Sequence, residues 1–110
     1  MGAIKTGTYT RQQEDLATIA RALAHPGRIA IIQELLNNQH CQCGALAETM
    51  GLAQSTISQH LKELKNAGII KGANDNSRLC YCLANESLDG FIEFLMQMKD
   101  SAKLNLDNCC

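Results

Sequence analysis

The six cysteines are the residues of this chain best suited to chemistry, and they fall in three close pairs. The pairs are Cys41 with Cys43, Cys80 with Cys82, and Cys109 with Cys110. Thiolates bind soft, thiophilic metals and metalloids in preference to magnesium or calcium. Paired thiols can also form disulfides on oxidation. The spacing therefore indicates either ligation of a soft ion or redox sensing, against the plainer alternative of small apolar residues in a core.

The elements that position these cysteines belong to a small protein. The chain has 110 residues, of which 45% are hydrophobic and 19% charged, a composition typical of one globular domain. We expect a single domain over residues 1–110, with flexible tails at 1–10 and 105–110. The net charge of −1 gives no strong field for nucleic acid, so DNA binding must depend on local placement of basic groups.

The sequence gives no sign of export or membrane insertion. The opening residues, "MGAIKTGTYTRQQEDL", lack the apolar segment of a secretory signal, and no apolar run is long enough to span a bilayer. We therefore expect a cytoplasmic protein without a membrane partner. In a reducing cytosol, cysteines more often serve metals or redox chemistry than structural disulfides.

Two helices are predicted before the first cysteine pair. The first carries apolar residues at helical spacing and ends near His25: Leu16, Ile19, Ala20 and Leu23. Pro26 suits the first position of the second helix, where its missing N–H costs little. Its predicted inner stripe consists of Ile29, Ile32 and Leu36. A very short strand is expected at His40–Cys41.

A helix-turn-helix and a hairpin follow. A third helix is predicted from about Cys43 to Met50, and a fourth from Gln54 to Ala67, separated by Gly51, which permits a tight turn. Ile57, Leu61 and Leu64 form the inner stripe of the fourth helix. The stretch "IIKGANDNSRLCYCLA" then reads as two strands around the turn-forming "NDNS".

The last predicted helix has two apolar faces. One is formed by Leu88, Phe91, Ile92, Leu95 and Ala102, and the other by Phe94 and Met98. Because one small core needs only one such face, a partner subunit is the simplest use for the second. The predicted fold is mainly α with a small β-hairpin (α+β). A hairpin directly after the second helix of a helix-turn-helix makes it a winged helix-turn-helix.

The outer face of the fourth helix suggests DNA binding. Gln59 can read an adenine edge, and the small polar side chains before it can bond bases or phosphates. Basic groups on the helix and the wing can neutralise phosphates. The candidate DNA-binding residues are Gln54, Ser55, Thr56, Ser58, Gln59, His60, Lys62, Lys65 and Arg78. His60 lies between the two faces, so packing against another helix is an equal alternative for it.

Three segments resemble the arsenic-repressor (ArsR/SmtB) family of bacterial winged-helix regulators. They are "ALAHPGRIAIIQELL", "LAETMGLAQSTISQHLKELKNAGII" and "SRLCYCL", and the resemblance covers most of the chain. It implies a cytoplasmic homodimer, formed through the first and last helices, that represses transcription from double-stranded operator DNA and leaves it when an inducer binds. In such a dimer the two recognition helices lie about one DNA turn apart, roughly 34–36 Å.

The cysteines suggest what the inducer is. Arsenic-sensing members carry a Cys-x-Cys-x-x-Cys pattern at the start of the helix-turn-helix, and Cys41 and Cys43 match its first two positions. Leu46 occupies the third, so another sulfur must complete the site. We favour Cys82, because a short strand before the helix-turn-helix commonly pairs with the second wing strand. Alternative donors are Cys80, Cys109 and Cys110. We also expect a helix N-terminus to lower the pKa of Cys43.

The resemblance favours As(III) or Sb(III) as inducer, and no cofactor is expected for DNA binding. Cd(II) and Pb(II) stay open, as does Zn(II), which usually takes four ligands that Cys41, Cys43, Cys80 and Cys82 could supply. A zinc site on the last helix is rejected because that helix has no histidine. The alternative function is a redox- or persulfide-responsive repressor that uses cysteine pairs. A small thiol enzyme is remote, since the sequence has no recognisable Cys/His/acid set.

Overall fold

The structure is a computed structural model that describes residues 7–38, 40–75 and 78–104. The helices are α1 (Arg11–Leu23), α2 (Pro26–Asn38), α3 (Cys43–Met50), α4 (Gln54–Asn66) and α5 (Leu88–Leu104). The strands are β1 (His40–Gln42), β2 (Ile70–Asp75) and β3 (Arg78–Leu83). This order confirms the predicted winged helix-turn-helix, mainly α with a small β-hairpin.

Helix α1 begins with a capping box. The hydroxyl of Thr10 accepts the backbone N–H of Gln13 at 3.0 Å, and the Gln13 side chain accepts the N–H of Thr10 at 2.9 Å. Two N–H groups that would lack partners at the helix start are thereby satisfied. Thr10 ends the tail predicted at residues 1–10. Residues 1–6 of that tail, and the tail predicted at 105–110, lie outside the described residues.

The predicted inner stripe of α2 was wrong. Ile31 and Leu35 are the fully buried residues of this helix, whereas Ile29 and Leu36 are 39% and 64% exposed. Ile32 packs at the edge of the core. The helix is apolar on several sides, so both sets recur at helical spacing, and its packing against α1, α4, β1 and β3 selects the buried one. The core contains Ile31 and Leu35 together with Leu46, Ile57, Leu61 and Leu64.

Glycines with positive φ shape both ends of α4. Gly51, at φ 68°, makes the turn between α3 and α4. Gly68, at φ 79°, follows the end of α4, where the N–H of Ile69 bonds the carbonyl of Leu64 and the N–H of Gly68 bonds that of Lys65. These two hydrogen bonds form a Schellman motif, which needs a residue in the left-handed backbone conformation at the position of Gly68.

The end of α4 is also bound to the start of α5. The Ser87 hydroxyl, one residue before α5, donates to the carbonyl of Gly68 at 2.7 Å. One short hydrogen bond therefore joins the last helix to the turn that ends α4.

The three strands form one antiparallel sheet in the order β1-β3-β2. Strand β1 pairs with β3, as predicted, and the register places Cys41 opposite Tyr81. The β2–β3 hairpin is the predicted wing, with Asp75 opposite Arg78 at its far end. The sheet thus ties the start of the helix-turn-helix to the wing.

Helix α5 has no buried residue. Leu88 and Phe91 pack partly on the core. The other large apolar side chains of this helix are exposed by 38% or more: Ile92, Phe94, Leu95, Met96, Met98 and Leu104. This apolar surface on a small chain fits the expected partner subunit, and homodimerisation stays a prediction. No helix in the described part of the chain is long and apolar enough to cross a membrane.

Candidate DNA-binding surface and cysteine segment

Helix α4 presents a polar outer face and an apolar inner one. Ile57, Leu61 and Leu64 are buried, as predicted. The outer residues are exposed and lie along one helix: Gln54, Ser55, Thr56, Ser58, Gln59, Lys62 and Lys65. The structure therefore brings together, on a single accessible surface, seven of the nine candidate DNA-binding residues.

The N-terminus of α4 has no side-chain cap. Ala53 occupies the N-cap position and makes no side-chain cap hydrogen bond. N–H groups at a helix start carry a partial positive charge and bind anions well. The end of α4 that carries Gln54 and Ser55 is therefore electrostatically suited to a phosphate group.

His60 does not lie on the outer face, so its assignment as a DNA-binding residue was wrong. It is 8% exposed and is the buried polar residue of the described core. The Arg28 Nε donates to His60 Nδ1 at 3.4 Å, and the ring of His25 lies 4.4 Å from that of His60, centroid to centroid. Burial first, then the charges of His25 and Arg28, hold the pKa of His60 below its ordinary value. The packing alternative is the one observed.

Arg28 is a residue that the sequence reasoning missed. Besides His60 it contacts α1, because its Nη1 donates to the carbonyls of Arg21 and Ala22 at 3.2 and 3.3 Å. The available signal was a lone cation on the otherwise apolar "PGRIAII" segment.

Arg78 lies at the far end of the wing, opposite Asp75 in the strand register. Its backbone is in β3, but its side chain lies outside the described residues. Its contact with a phosphate stays a prediction.

Cys43 is the first residue of α3 and contacts the recognition helix. Its thiol donates to the backbone carbonyl of Gln54, the first residue of α4, with Sγ 3.7 Å from the oxygen. The half-buried thiol also packs against the core. Burial raises the pKa of the Cys43 thiol, which corrects the expectation that the helix N-terminus lowers it. The proton that makes the contact with Gln54 is therefore held at neutral pH.

Tyr81 lies near the same thiol. Burial raises the pKa of the Tyr81 hydroxyl, and the charge of the Cys43 thiolate raises it further. Cys43 and Tyr81 both pack against the core.

The register of β1 against β3 bears on the third ligand. Cys41 is paired with Tyr81, while Cys80 is paired with Gln42 and Cys82 with His40. Paired positions lie on the same face of an antiparallel sheet, and successive positions alternate between faces. The positions of Cys80 and Cys82 therefore belong to the face opposite that of Cys41, which argues against Cys82 as the preferred third ligand. Cys80 is buried and Cys82 half-buried.

The described residues do not by themselves form a metal site. No three His, Cys, Asp or Glu side chains come together over residues 7–38, 40–75 and 78–104. The side chain of Cys41, and all of Cys109 and Cys110, lie outside the described set. The ligand sulfurs therefore stay predicted. The donor set itself suits a soft ion, because every candidate is a thiol.

The chain is similar to known bacterial regulators. Residues 25–71 match the family model described as bacterial regulatory protein, arsR family. The HTH-type transcriptional regulator YgaV of Escherichia coli is 32% identical over 82 residues, 74% of this chain and 83% of YgaV. The HTH-type transcriptional regulator CmtR of Mycobacterium bovis is 33% identical over 91 residues, 83% and 76% of the two chains. The crystal structure of the transcriptional repressor PagR of Bacillus anthracis aligns with a TM-score of 0.63 at 29% identity, covering 76% of this chain and 94% of PagR.

A glycine turn, an exposed polar helix and a β-hairpin in direct succession form the winged helix-turn-helix arrangement that is typical of transcriptional regulators. The relatives are likewise regulators rather than enzymes, as expected. With the family match and the extent of the similarity to YgaV and CmtR, the chain belongs to the ArsR family of transcriptional regulators.

Proposed function

We propose that this regulator is a repressor that leaves its operator when a thiophilic metalloid or metal binds Cys41 and Cys43, with arsenite or antimonite as preferred inducer. It acts in the cytoplasm and binds DNA as a homodimer. The contact between the Cys43 thiol and the Gln54 carbonyl carries the proposal, because it joins the proposed ligand segment to the first residue of the recognition helix.

The outer face of α4 supplies the DNA contacts. Gln59 is assigned to a base edge, and Lys62 and Lys65 to phosphates, according to the chemistry of their side chains. The wing adds Arg78. The remaining assigned residues are Gln54, Ser55, Thr56 and Ser58, whose small or polar side chains suit close approach of the helix start to DNA. Their exposure on one face supports these roles.

Ligation changes the contact at Gln54 because a cysteine binds a metal or metalloid as the thiolate. Arsenious acid reacts with three thiols to form three As–S bonds, and the thiol protons leave with the three hydroxyls as water. No electron is transferred. Cys43 then has no proton to donate, and its sulfur no longer holds the Gln54 carbonyl. The start of α4 loses this contact with α3, which alters the presentation of the helix to DNA.

The third sulfur is proposed to come from the terminal pair, Cys109 or Cys110. The strand register makes Cys82 and Cys80 poorer donors beside Cys41. Pyramidal As(III) or Sb(III) needs three sulfurs. A larger ion such as Cd(II) or Pb(II), or tetrahedral Zn(II), would bind Cys41 and Cys43 together with additional donor atoms.

The homodimer is proposed to form through α1 and α5. The exposed apolar residues of α5 support this, since such a surface on a small monomer usually marks an interface. Leu95→Glu, in the middle of that surface, should give a monomer in analytical ultracentrifugation. Glu93→Gln, an exposed polar change nearby, should leave the dimer intact. An unchanged dimer for Leu95→Glu would place the interface elsewhere.

The inducer is tested by fluorescence anisotropy on a duplex selected from a random-sequence pool with the wild-type protein. The buffer contains a phosphine reductant, because dithiols compete for arsenite. Arsenite should release the wild type, and Cys41→Ser and Cys43→Ser should each prevent release. Cys82→Ser should stay inducible, whereas the double change Cys109→Ser/Cys110→Ser should not.

The outcomes separate the alternatives. Wild type that stays bound with arsenite, antimonite, cadmium, lead and zinc would refute metal or metalloid sensing. Release by an oxidant or a persulfide donor alone, with no response to arsenite, would establish the redox repressor instead. Loss of response in Cys82→Ser but not in the terminal double variant would restore Cys82 as third ligand.

A further inference from the structure

The inner side of the recognition helix carries a polar contact that neither DNA binding nor the cysteines use. His60, on α4, is packed between Arg28 of α2 and His25 of the turn between α1 and α2. The Arg28 Nε donates to His60 Nδ1 at 3.4 Å. This is the polar side-chain contact that joins α2 to α4 among the hydrogen bonds of the described residues.

Arg28 is itself held in place by the end of α1. Its Nη1 donates to the carbonyls of Arg21 and Ala22. Carbonyls in the last turn of a helix carry partial negative charge, so a guanidinium there is favoured, and the Arg21 carbonyl accepts the Ala24 N–H as well. One arginine therefore joins three helices, and two of its three hydrogen bonds go to α1 rather than to His60.

The contact requires an unprotonated His60 nitrogen. A guanidinium has only donors, so the nitrogen that faces it must act as an acceptor. Protonation of Nδ1 would remove that acceptor and set a second positive charge beside the Arg28 cation. The hydrogen bond would be lost and replaced by repulsion.

The groups around His60 would do little to stabilise the positive charge of its protonated ring. His25 faces the same ring, and its own Nδ1 accepts the backbone N–H of Gly27 at 2.9 Å. Arg21 and Arg28 line the crevice beside this cluster. Glu63, one turn further along α4, is the acid that lines it, and no described hydrogen bond or ion pair joins its carboxylate to His60.

Space on the α2 side of His60 is limited. A Cβ built on Gly27 would lie 3.0 Å from His60 Nε2 and 3.2 Å from the His25 ring. The imidazole therefore fits closely against the start of α2. A charged ring repelled by Arg28 therefore has little room to retreat toward Gly27, and displacement on the α4 side is the direction that stays open.

We propose that the Arg28–His60 contact is an acid-sensitive latch on the recognition helix: protonation of His60 releases α4 from α2 and weakens operator binding. The latch acts on the inner side of α4 and shares no residue with the cysteine segment. It adds an input, proton concentration, to a repressor whose other input is its inducer.

The direction of the pH effect follows from the same contacts. Burial, His25 and Arg28 hold the pKa of His60 below the ordinary 6.5. The latch is therefore closed at neutral pH and opens as the pH falls through that lowered pKa. If the DNA-bound form needs the closed latch, operator binding lowers the pKa of His60 further. Operator affinity must then decrease as the pH decreases.

The test measures operator affinity from pH 7.5 to pH 5.5 at constant ionic strength, without inducer, on the selected duplex. His60→Asn places an amide oxygen near the Nδ1 position and cannot be protonated. The wild type should lose affinity progressively as the pH falls, by up to about fivefold per His60 at pH 5.5 if the bound pKa is one unit below the free pKa, because the full tenfold appears only below both pKa values. His60→Asn should lose little.

Two controls assign the effect. His40→Asn should keep the pH dependence of the wild type, whereas His25→Asn removes a charge that lowers the pKa of His60 and should shift the loss of affinity to higher pH without abolishing it. A flat wild-type profile, or the same slope in His60→Asn, would overturn the latch. Loss of the slope in His25→Asn alone would assign the titration to His25 and also overturn it.

A second measurement covers the case in which His60→Asn does not fold. Titration of the wild-type His60 ring protons by nuclear magnetic resonance, free and on the duplex, should give a lower pKa in the complex. Equal pKa values in the two states would refute the coupling. Neither measurement involves an inducer, so failure of the latch leaves the proposed inducer response untouched, and the reverse also holds.

Discussion

Gly68→Ala tests how the end of the recognition helix is held. At φ 79° an L residue is strained by about 1–2 kcal/mol. The new Cβ would also lie 3.1 Å from the Ser87 Oγ and 3.2 Å from its Cβ. Ser87 must then shift and weaken its 2.7 Å bond to the Gly68 carbonyl, at about 1 kcal/mol. The expected total loss in the free energy of unfolding is about 2–3 kcal/mol.

Gly51→Ala is the matched control. Gly51 has a similar φ of 68°, but a Cβ there meets nothing within 4 Å. It should therefore show the backbone strain alone, about 1–2 kcal/mol. The difference between the two variants measures the contact with Ser87.

Urea denaturation followed by circular dichroism gives these free energies. The protein concentration is held constant, because association would make stability depend on it. In the double variant Gly68→Ala/Ser87→Ala, part of the loss should be recovered relative to the sum of the single changes. Equal losses for Gly51→Ala and Gly68→Ala would show that the Ser87 contact contributes nothing. Unchanged stability in both would refute the strain argument itself.

Three further predictions concern the core, the thiol and the DNA face. Leu35→Ala should cost about 2–5 kcal/mol in urea denaturation, whereas Leu36→Ala, at a 64% exposed position, should cost well under that; similar losses would contradict the observed packing. In a variant that retains only Cys43, iodoacetamide alkylation followed by mass spectrometry should keep accelerating above pH 9, since its pKa is raised above 9.0; a plateau below that pH would contradict it. Gln59→Ala should reduce preference for the selected duplex by about 1–3 kcal/mol, while Lys65→Ala should weaken binding to all duplexes alike; an equal loss on every sequence for Gln59→Ala would remove it as a base reader.

The sequence was sufficient for the fold because its local signals agree. Glycines at 51 and 68 mark the turns around α4, and Ile57, Leu61 and Leu64 mark its inner face. The prediction of the buried face failed for α2, because Ile29 and Leu36 fit helical spacing as well as Ile31 and Leu35 do. Periodicity cannot choose between two apolar stripes on one helix, since the neighbouring elements make that choice.

The site was predicted less completely, for reasons of geometry. His60 lies three residues after Ile57, which puts it on the same side of the helix. Its role in packing depends on its contact with Arg28, which lies on another helix. The preference for Cys82 depended on strand adjacency, which was correct. It also depended on register, and a shift of one residue exchanges the two faces of a strand. Sequence spacing alone does not tell which face of the sheet each cysteine position belongs to.

The pairing of β1 with β3 has a topological consequence. It joins residues 40–42 to residues 80–82 through three residue pairs. The segment between them, which contains α3, α4 and β2, is therefore a loop of about forty residues whose ends are held together by this short neck of paired strands. Closing a loop of that length costs roughly 3 kcal/mol of chain entropy, and opening the neck would return it. Amide hydrogen exchange at Cys41 and Tyr81 should therefore report on the opening of this closure.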